Sequence, residues 1–178
     1  MPGYWLVRFR KGEDIREQGS GGTGATNVGR ILGPAGFVLV FLLDFLKGAA
    51  AVLLARWLCG PDSWVAWASP LAVVMGHVWP CLLSFRGGRG ISTLLGAWLF
   101  LQPLAFLFCL PVFAVAWLFL RSFTLAGLCA LCVLPTGAAW AAHWQRLPAF
   151  WAGLCLLVVL LAHKEHLRRW LSPESFIE

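Results

Sequence analysis

Long apolar stretches separated by short polar connections fill most of the chain after its first 33 residues. The stretches cover residues 34–58, 63–85, 91–120, 123–144 and 147–163. A helix of about 20 apolar residues, rising about 1.5 Å per residue, matches the roughly 30 Å hydrocarbon core of a bilayer. The stretch at 91–120 is too long for one crossing, and Gln102-Pro103 provides a natural break in it. The pattern therefore predicts six membrane-spanning helices.

The amino-terminal end does not supply another full span. Residues 1–9 are apolar but too short to cross a bilayer, and they lack the pattern of a cleaved signal peptide. We interpret them as the remnant of a seventh helix. The predicted fold is thus all-α: a polytopic membrane helix bundle with six spans plus that remnant, forming a single integral-membrane domain over residues 1–178.

The composition supports an integral membrane protein. Of the 178 residues, 60% are hydrophobic and only 12% are charged, which excludes a soluble domain and a disordered chain. The six cysteines lie mostly inside apolar stretches, where a thiol behaves as a small hydrophobic group. Even the Cys129-x-x-Cys132 pair has no second pair nearby, so we expect packing there and no metal site.

The basic residues lie mostly on one side of the predicted spans. Eleven of them fall there, namely Arg8, Arg10, Lys11, Arg16, Arg30, Arg86, Arg89, Arg121, Lys164, Arg168 and Arg169. Arg56 and Arg146 lie on the other side, and Lys47 lies within a span. By the positive-inside rule the eleven-residue side is cytoplasmic. The net charge of +6 therefore reflects membrane topology and not a nucleic-acid partner, and segments 10–33, 86–90 and 163–178 are expected in the cytoplasm.

Three polar segments on that side combine glycines, hydroxyls and cations: residues 19–30, 85–90 and 163–169. Glycines let backbone N–H groups converge on an anion, and guanidinium groups bind phosphate oxygens in pairs. A phosphate-binding surface is one interpretation. The other is that the glycines only break helices and the cations only set topology. The G-x-G-x-x-G spacing at 19–24 does not indicate a dinucleotide site, because no strand precedes it.

Three ionisable residues lie inside or at the end of predicted spans. Asp44 and Lys47 are three residues apart on one helical face, so they can neutralise each other in an apolar setting. A structural ion pair is the favoured interpretation. His77 is either a hydrogen-bonded core histidine or a residue with a direct chemical role.

Ordered motifs over nearly the whole chain resemble those of one family. Residues 19–30 are similar to Gly-Ser-Gly-Asn-x-Gly-Ala-Thr-Asn-Val-x-Arg, with Gly22 at the Asn position. Gly-His-Val-Trp-Pro at 76–80 and Phe-Arg-Gly-Gly-Arg-Gly at 85–90 resemble the second motif, with Arg89 in place of Lys. His-Lys-Glu-His-Leu at 163–167 resembles the third, with His166 in place of Asn. The family is the bacterial acyl-phosphate:glycerol-3-phosphate acyltransferases, called PlsY.

The resemblance implies an enzyme of the bacterial inner membrane that moves a fatty acyl group from acyl phosphate to the sn-1 hydroxyl of glycerol 3-phosphate. It implies neither a metal nor a cofactor, and we expect a monomer embedded in the lipid bilayer. The motif matches assign catalytic roles to Ser20, Arg30, Arg89, His163 and His166. They assign substrate and phosphate binding to Gly21, Thr26, Asn27, Gly87, Gly88 and Thr124.

Two other functions compete with this one. A transporter of organophosphates or other anions would also need Arg and Gly in a small basic membrane protein, but its charges should reach the bilayer midplane. A catalytically weakened member of the family is the second alternative, and the substitutions at Gly22, Arg89 and His166 are the argument for it.

Overall fold

The computed structural model describes residues 1–144 and 146–171, and all the regular structure in those ranges is helical. Nine α-helices follow one another in this part of the chain: α1 (Pro2–Lys11), α2 (Ala25–Cys59), α3 (Trp64–Val78), α4 (Ile91–Leu101), α5 (Pro103–Leu120), α6 (Phe123–Cys132), α7 (Leu134–Ala141), α8 (Arg146–Ala162) and α9 (Lys164–Leu171). Short 3-10 helices occupy Ile15–Glu17 and Cys81–Leu83. Residues 172–178 of the predicted segment 163–178 lie outside the described residues.

Three segments are long and apolar enough to cross a membrane, namely Ala25–Cys59, Trp64–Leu83 and Pro103–Leu120. Helices α6 and α7 reach the required length only as a pair, and they meet at a bend of 42°. The other two apolar helices are shorter, with 11 residues in α4 and 17 in α8. The predicted break at Gln102 is confirmed, since its φ of −147° and ψ of 84° end α4 and Pro103 begins α5.

Helix α2 begins before the residue at which the sequence pattern starts the first long span. The pattern starts that span at residue 34, and α2 begins at Ala25. Gly33, with φ 77° and ψ −174°, interrupts the helix, and Pro34 opens the part that follows. Thr26, Asn27 and Arg30 therefore lie on a short helical segment before the kink and not in a loop.

Helix α4 packs closely along α2, and this contact places the glycine-rich loop that precedes α4. A Cβ atom on Gly48 would overlap the carbonyl oxygen of Thr93, and one on Gly96 would overlap that of Phe45. Small residues allow such close backbone approach between membrane helices. Residues Leu94 and Trp98 on α4 are fully buried, so α4 lies at the centre of the bundle.

An aromatic cluster fixes the start of α6 against two other helices. The ring of Phe123 makes edge contacts with Phe37 and Phe41 of α2 and with Phe113 of α5, with centroid separations of 5.3, 6.0 and 5.4 Å. Such pairs stabilise by about 0.5–1.5 kcal/mol each beyond their buried area. The first turn of α6 is thereby held against α2 and α5.

Candidate active site

The glycine-rich segment before α2 is organised by Asn27. Its Oδ1 accepts the Ser20 N–H at 3.0 Å, and its Nδ2 donates to the carbonyls of Gln18 at 2.9 Å and Gly22 at 3.0 Å. The side chain is buried, so the loop wraps around the amide. The motif match assigned phosphate binding to Asn27, but its hydrogen-bonding atoms are engaged by this loop. These hydrogen bonds position Ser20, and phosphate binding by Asn27 stays a prediction.

Hydrogen bonds join the first polar segment to the second. Thr23 donates its N–H to the Gly87 carbonyl at 3.2 Å, and Arg16 Nη1 donates to the Leu83 carbonyl at 3.0 Å. Arg16 also forms a forked ion pair with Asp14, with Nη2–Oδ2 at 2.6 Å and Nε–Oδ1 at 3.0 Å. The hydrogen bonds from Arg16 lower the pKa of Asp14 to about 2. We call this pair the Asp14–Arg16 brace. It holds the chain just before the first polar segment next to Leu83, which lies just before the second.

Three helix amino termini meet at one cavity, which we call the inner cavity. The first turns of α2, α4 and α6 contribute Gly24, Ala25 and Thr26, then Gly90, Ile91 and Ser92, then Phe123 and Thr124. The first-turn N–H groups of a helix have no acceptor within that helix, and they carry a partial positive charge. Such ends bind anions readily, so the cavity is suited to a phosphate group.

One hydroxyl and four ionisable side chains complete the inner cavity. They belong to Ser20, Asp44, His77, Arg89 and His163. His163 is buried in the turn between α8 and α9, and its Nδ1 lies 2.8 Å from the Val159 carbonyl oxygen. A carbonyl only accepts, so Nδ1 carries the hydrogen and a neutral ring presents Nε2 as an acceptor.

A second depression, which we call the outer cleft, adjoins the inner cavity. Its polar lining residues are Gly19, Ser20, Gly21, Gly22, Arg30, Arg86, Gly87, Gly88, Arg89, Lys164, Glu165 and His166. Ser20, Gly22 and Arg89 line both spaces. Four cations and one carboxylate face the outer cleft, which makes it basic. The two spaces can therefore hold two anionic groups, with Ser20 and Arg89 between them.

The structure brings together all the residues that the sequence singled out. The inner cavity holds Thr26, Asn27, Asp44, His77, Thr124 and His163; the outer cleft holds Gly21, Arg30, Gly87, Gly88 and His166; and Ser20 and Arg89 belong to both. Lys47 joins them through hydrogen bonds to Asp44 and His77. The ion pair predicted from the spacing of Asp44 and Lys47 is present, at 3.0 Å.

Sequence reasoning missed two participants. Ser92 lines the inner cavity from the first turn of α4, and a hydroxyl directly after a glycine-rich loop could have indicated it. Thr93 is fully buried and lies with its Oγ1 3.1 Å from His77 Nδ1. Nothing in the local pattern distinguishes Thr93 from a packing residue, because its partner is 16 residues away.

Comparisons with known proteins agree on one family. The sequence profile described as glycerol-3-phosphate acyltransferase matches residues 1–173. Glycerol-3-phosphate acyltransferase 1 of Desulfitobacterium hafniense (strain Y51) is 38% identical over 173 residues, which cover 97% of this chain and 85% of that protein. The glycerol-3-phosphate acyltransferase of Anaeromyxobacter dehalogenans (strain 2CP-C) is 39% identical over 177 residues, covering 97% and 88%.

Solved structures show the same fold. The crystal structure of PlsY (YgiH), an integral membrane glycerol 3-phosphate acyltransferase in its glycerol 3-phosphate form, superposes with a TM-score of 0.84 and 37% identity, covering 93% of this chain and 82% of that one. Its lysophosphatidic acid form gives a TM-score of 0.82 and 34% identity, covering 95% and 83%. With the profile spanning almost the whole sequence, this chain belongs to the glycerol-3-phosphate acyltransferase family of integral membrane proteins.

Proposed function

We propose that this protein transfers a fatty acyl group from acyl phosphate to the sn-1 hydroxyl of glycerol 3-phosphate, giving lysophosphatidic acid and inorganic phosphate. The observation that carries the proposal is the convergence of three helix amino termini with Arg89 in one cavity, beside a second basic cleft. Donor and acceptor each carry a phosphate, so the reaction needs two anion sites that adjoin. The solved relatives are glycerol 3-phosphate and lysophosphatidic acid forms, which supports this acceptor and product.

The chemistry needs positioning and charge stabilisation more than a covalent nucleophile. The acceptor hydroxyl attacks the carbonyl carbon of acyl phosphate, and the new ester bond forms as the bond from that carbon to the phosphate oxygen breaks. The hydroxyl proton passes to the departing phosphate. Negative charge develops on the carbonyl oxygen and on the leaving phosphate. Arg89, Ser20 and the first-turn N–H groups stabilise that charge, since preorganised donors act strongly in a site that excludes water.

The remaining residues orient the substrates. His163 Nε2 accepts a hydrogen bond from the attacking hydroxyl, while Thr26 and Thr124 donate hydroxyl hydrogens inside the inner cavity. Arg30 and His166 bind phosphate in the outer cleft. Gly21, Gly87 and Gly88 line that cleft with backbone whose N–H groups are already donated to protein carbonyls, so their part is to leave room for the substrate. No cofactor or metal enters this scheme, because acyl phosphate is already activated.

We propose a six-span topology with α1 as part of a seventh helix. The spans are α2, α3, α4, α5, the bent pair α6 and α7, and α8. At about 1.5 Å per residue, the 11 residues of α4 are about 16 Å long and cross only part of the bilayer. Irregular backbone at membrane depth is stable where protein covers it, and the loop at 85–90 lies against α3 and the first segment. The chain then forms a single domain and a monomer of the bacterial inner membrane, with the site and carboxyl terminus facing the cytoplasm.

An anion transporter fits the geometry less well. A transport path would need cations along the bundle axis, and among the described residues Lys47 is the cation within the interior of a predicted span. Its ammonium donates to Asp44 Oδ1 at 3.0 Å, which neutralises it. The described cations of the outer cleft lie near one end of the bundle.

Donor choice tests the proposed function. Purified protein in a lipid mesophase should release phosphate from palmitoyl phosphate when glycerol 3-phosphate is present, and should be inactive with palmitoyl-CoA as donor. EDTA should leave the rate unchanged. Release that depends on Mg²⁺, or acyl transfer from palmitoyl-CoA alone, would contradict the proposal, whereas protein that folds but is inactive with both donors would indicate a weakened family member.

A further inference from the structure

His77 lies directly beneath the Gly87–Arg89 loop. The side chain is buried, with 3% of its surface exposed. The carbonyls of His77 and Val78 accept the N–H groups of Gly88 and Gly87, both at 3.1 Å. Hydrogen bonds to the last two residues of α3 therefore fix the backbone path of the loop.

The imidazole ring of His77 also contacts this loop. A Cβ atom on Gly88 would overlap His77 Nε2, so the ring edge and the Gly88 backbone are in direct contact. The backbone φ of Gly88 is not in the left-handed region. Glycine is thus required at position 88 by the close approach of the ring and not by backbone conformation.

The opposite ring nitrogen is contacted by residues of two other helices, α2 and α4. His77 Nδ1 lies 2.8 Å from Lys47 Nζ, 3.1 Å from Thr93 Oγ1 and 3.4 Å from Asp44 Oδ1. An ammonium group only donates hydrogen bonds, so Nδ1 accepts and the neutral ring carries its hydrogen on Nε2, the edge that faces Gly88. We call Asp44, Lys47, His77 and Thr93 the Asp44 cluster.

The position of the Asp44 cluster indicates more than neutralisation of a charge inside the membrane. An Asp–Lys pair alone would satisfy that need. This pair instead orients a ring whose free edge contacts the residue before Arg89, and Asp44 and His77 line the inner cavity with Arg89. A displacement of about 1 Å in a group that binds the reacting atoms can lower a rate on the order of 100-fold.

We infer that His77 is a positioning residue for the acyl transfer: it fixes the Gly87–Arg89 loop, and Asp44, Lys47 and Thr93 fix its ring. The inference rests on the proposed function of Arg89. His77 also lines the inner cavity, and the inference assigns its contribution to the loop that carries the guanidinium group and not to a direct contact with substrate.

A double-mutant cycle between His77→Asn and Arg89→Ala tests the inference. The Asn amide oxygen takes the place of Nδ1 and keeps the acceptor for Lys47, but it lacks the ring edge under Gly88. We expect His77→Asn to lower kcat/KM for glycerol 3-phosphate about 10-fold in wild type and less than about 3-fold in the Arg89→Ala background, because coupled residues are not additive. The Kd of glycerol 3-phosphate is also measured for the four proteins of the cycle, and this measurement does not need turnover.

Two further variants make the outcome specific. His77→Gln places an amide near the position of Nε2 and should recover most of the activity that His77→Asn loses. His143→Asn, the same substitution in the turn after α7, should leave kcat/KM unchanged. Equal fold losses from His77→Asn in both Arg89 backgrounds would overturn the inference while leaving the proposed function intact, whereas an inactive wild type would contradict the proposed function itself.

Discussion

The two ends of α4 each lie beside an arginine, and the two arginines relate to the helix in opposite ways. At the carboxyl end, Arg56 Nη1 donates to the Phe100 carbonyl at 2.8 Å. A cation there complements the negative end of the helix dipole. At the amino end, Arg89 precedes the capping residue Gly90, where the helix dipole is positive. The helix dipole disfavours a cation at that end and favours an anion.

We propose that the two arginines differ in role, Arg56 serving the fold and Arg89 a ligand. Arg56 satisfies a backbone group of its own protein. Arg89 lies where three helix amino termini concentrate positive potential, which favours the binding of a phosphate there. The following predictions test this comparison, beginning with the largest expected effect.

Arg89→Ala should lower kcat/KM by about 2–4 kcal/mol of transition-state stabilisation, the scale for a charged contact removed from a desolvated site. Arg30→Ala should cost less, about 1–2 kcal/mol, because Arg30 is exposed and solvent screens its charge. Steady-state phosphate release measures both. Arg56→Ala is the matched control at the other end of α4 and should keep wild-type kcat/KM; an equal loss there would mean that the substitutions act on folding.

Arg56→Ala should instead lower the free energy of unfolding by about 1 kcal/mol, because the hydrogen bond that it makes to the end of α4 is lost. Thermal melts in detergent measure this effect. The KM for glycerol 3-phosphate should stay unchanged. A raised KM together with an unchanged melting temperature would show that the distant end of α4 affects binding, contrary to the comparison.

Asp14→Asn should lower stability by about 0.5–1 kcal/mol at neutral pH, because it removes the carboxylate of the brace between two motif segments. The pKa of Asp14 is lowered to about 2 in the folded protein, so the unfolded chain takes up its proton first. The contribution is therefore complete above about pH 4 and is lost as the pH falls towards 2. Melts of wild type and Asp14→Asn should differ at pH 6 and converge near pH 2; a constant difference would contradict this assignment.

Gly22→Asn should have the smallest effect, within about twofold in kcat/KM. A Cβ atom on Gly22 would lie 3.8 Å from Ser20 Oγ and 3.9 Å from Arg89 Nε, which are ordinary van der Waals contacts. The first side-chain atom of the asparagine in the family motif therefore has room between the two spaces of the site. A large loss of activity would show that this chain has adapted its Ser20–Arg89 geometry to glycine.

The sequence predicted the apolar helices and the break at Gln102 because both depend on local pattern. It did not indicate the helical turns between Ala25 and the kink at Gly33, because glycine and polar residues in that segment are also typical of a loop. The motifs singled out residues that the structure gathers around two adjoining spaces. They did not indicate the hydrogen bonds of Asn27 to the Gln18–Gly22 loop, because these depend on tertiary folding. The contacts of His77 with Thr93 and with Gly88 depend on how α3 packs against α4 and the loop before it. No spacing rule within one helix could therefore indicate them.

The most direct test of the central claim is the shift in melting temperature that glycerol 3-phosphate produces in wild type, Arg89→Ala and Arg56→Ala. A ligand that binds only the folded state raises the free energy of unfolding by RT ln(1 + [L]/Kd), where [L] is the free ligand concentration. We predict a clear upward shift in wild type and in Arg56→Ala, and little or no shift in Arg89→Ala at the same concentration. A full shift in Arg89→Ala, or its loss in Arg56→Ala, would contradict the claim that the amino end of α4 is built for a phosphate.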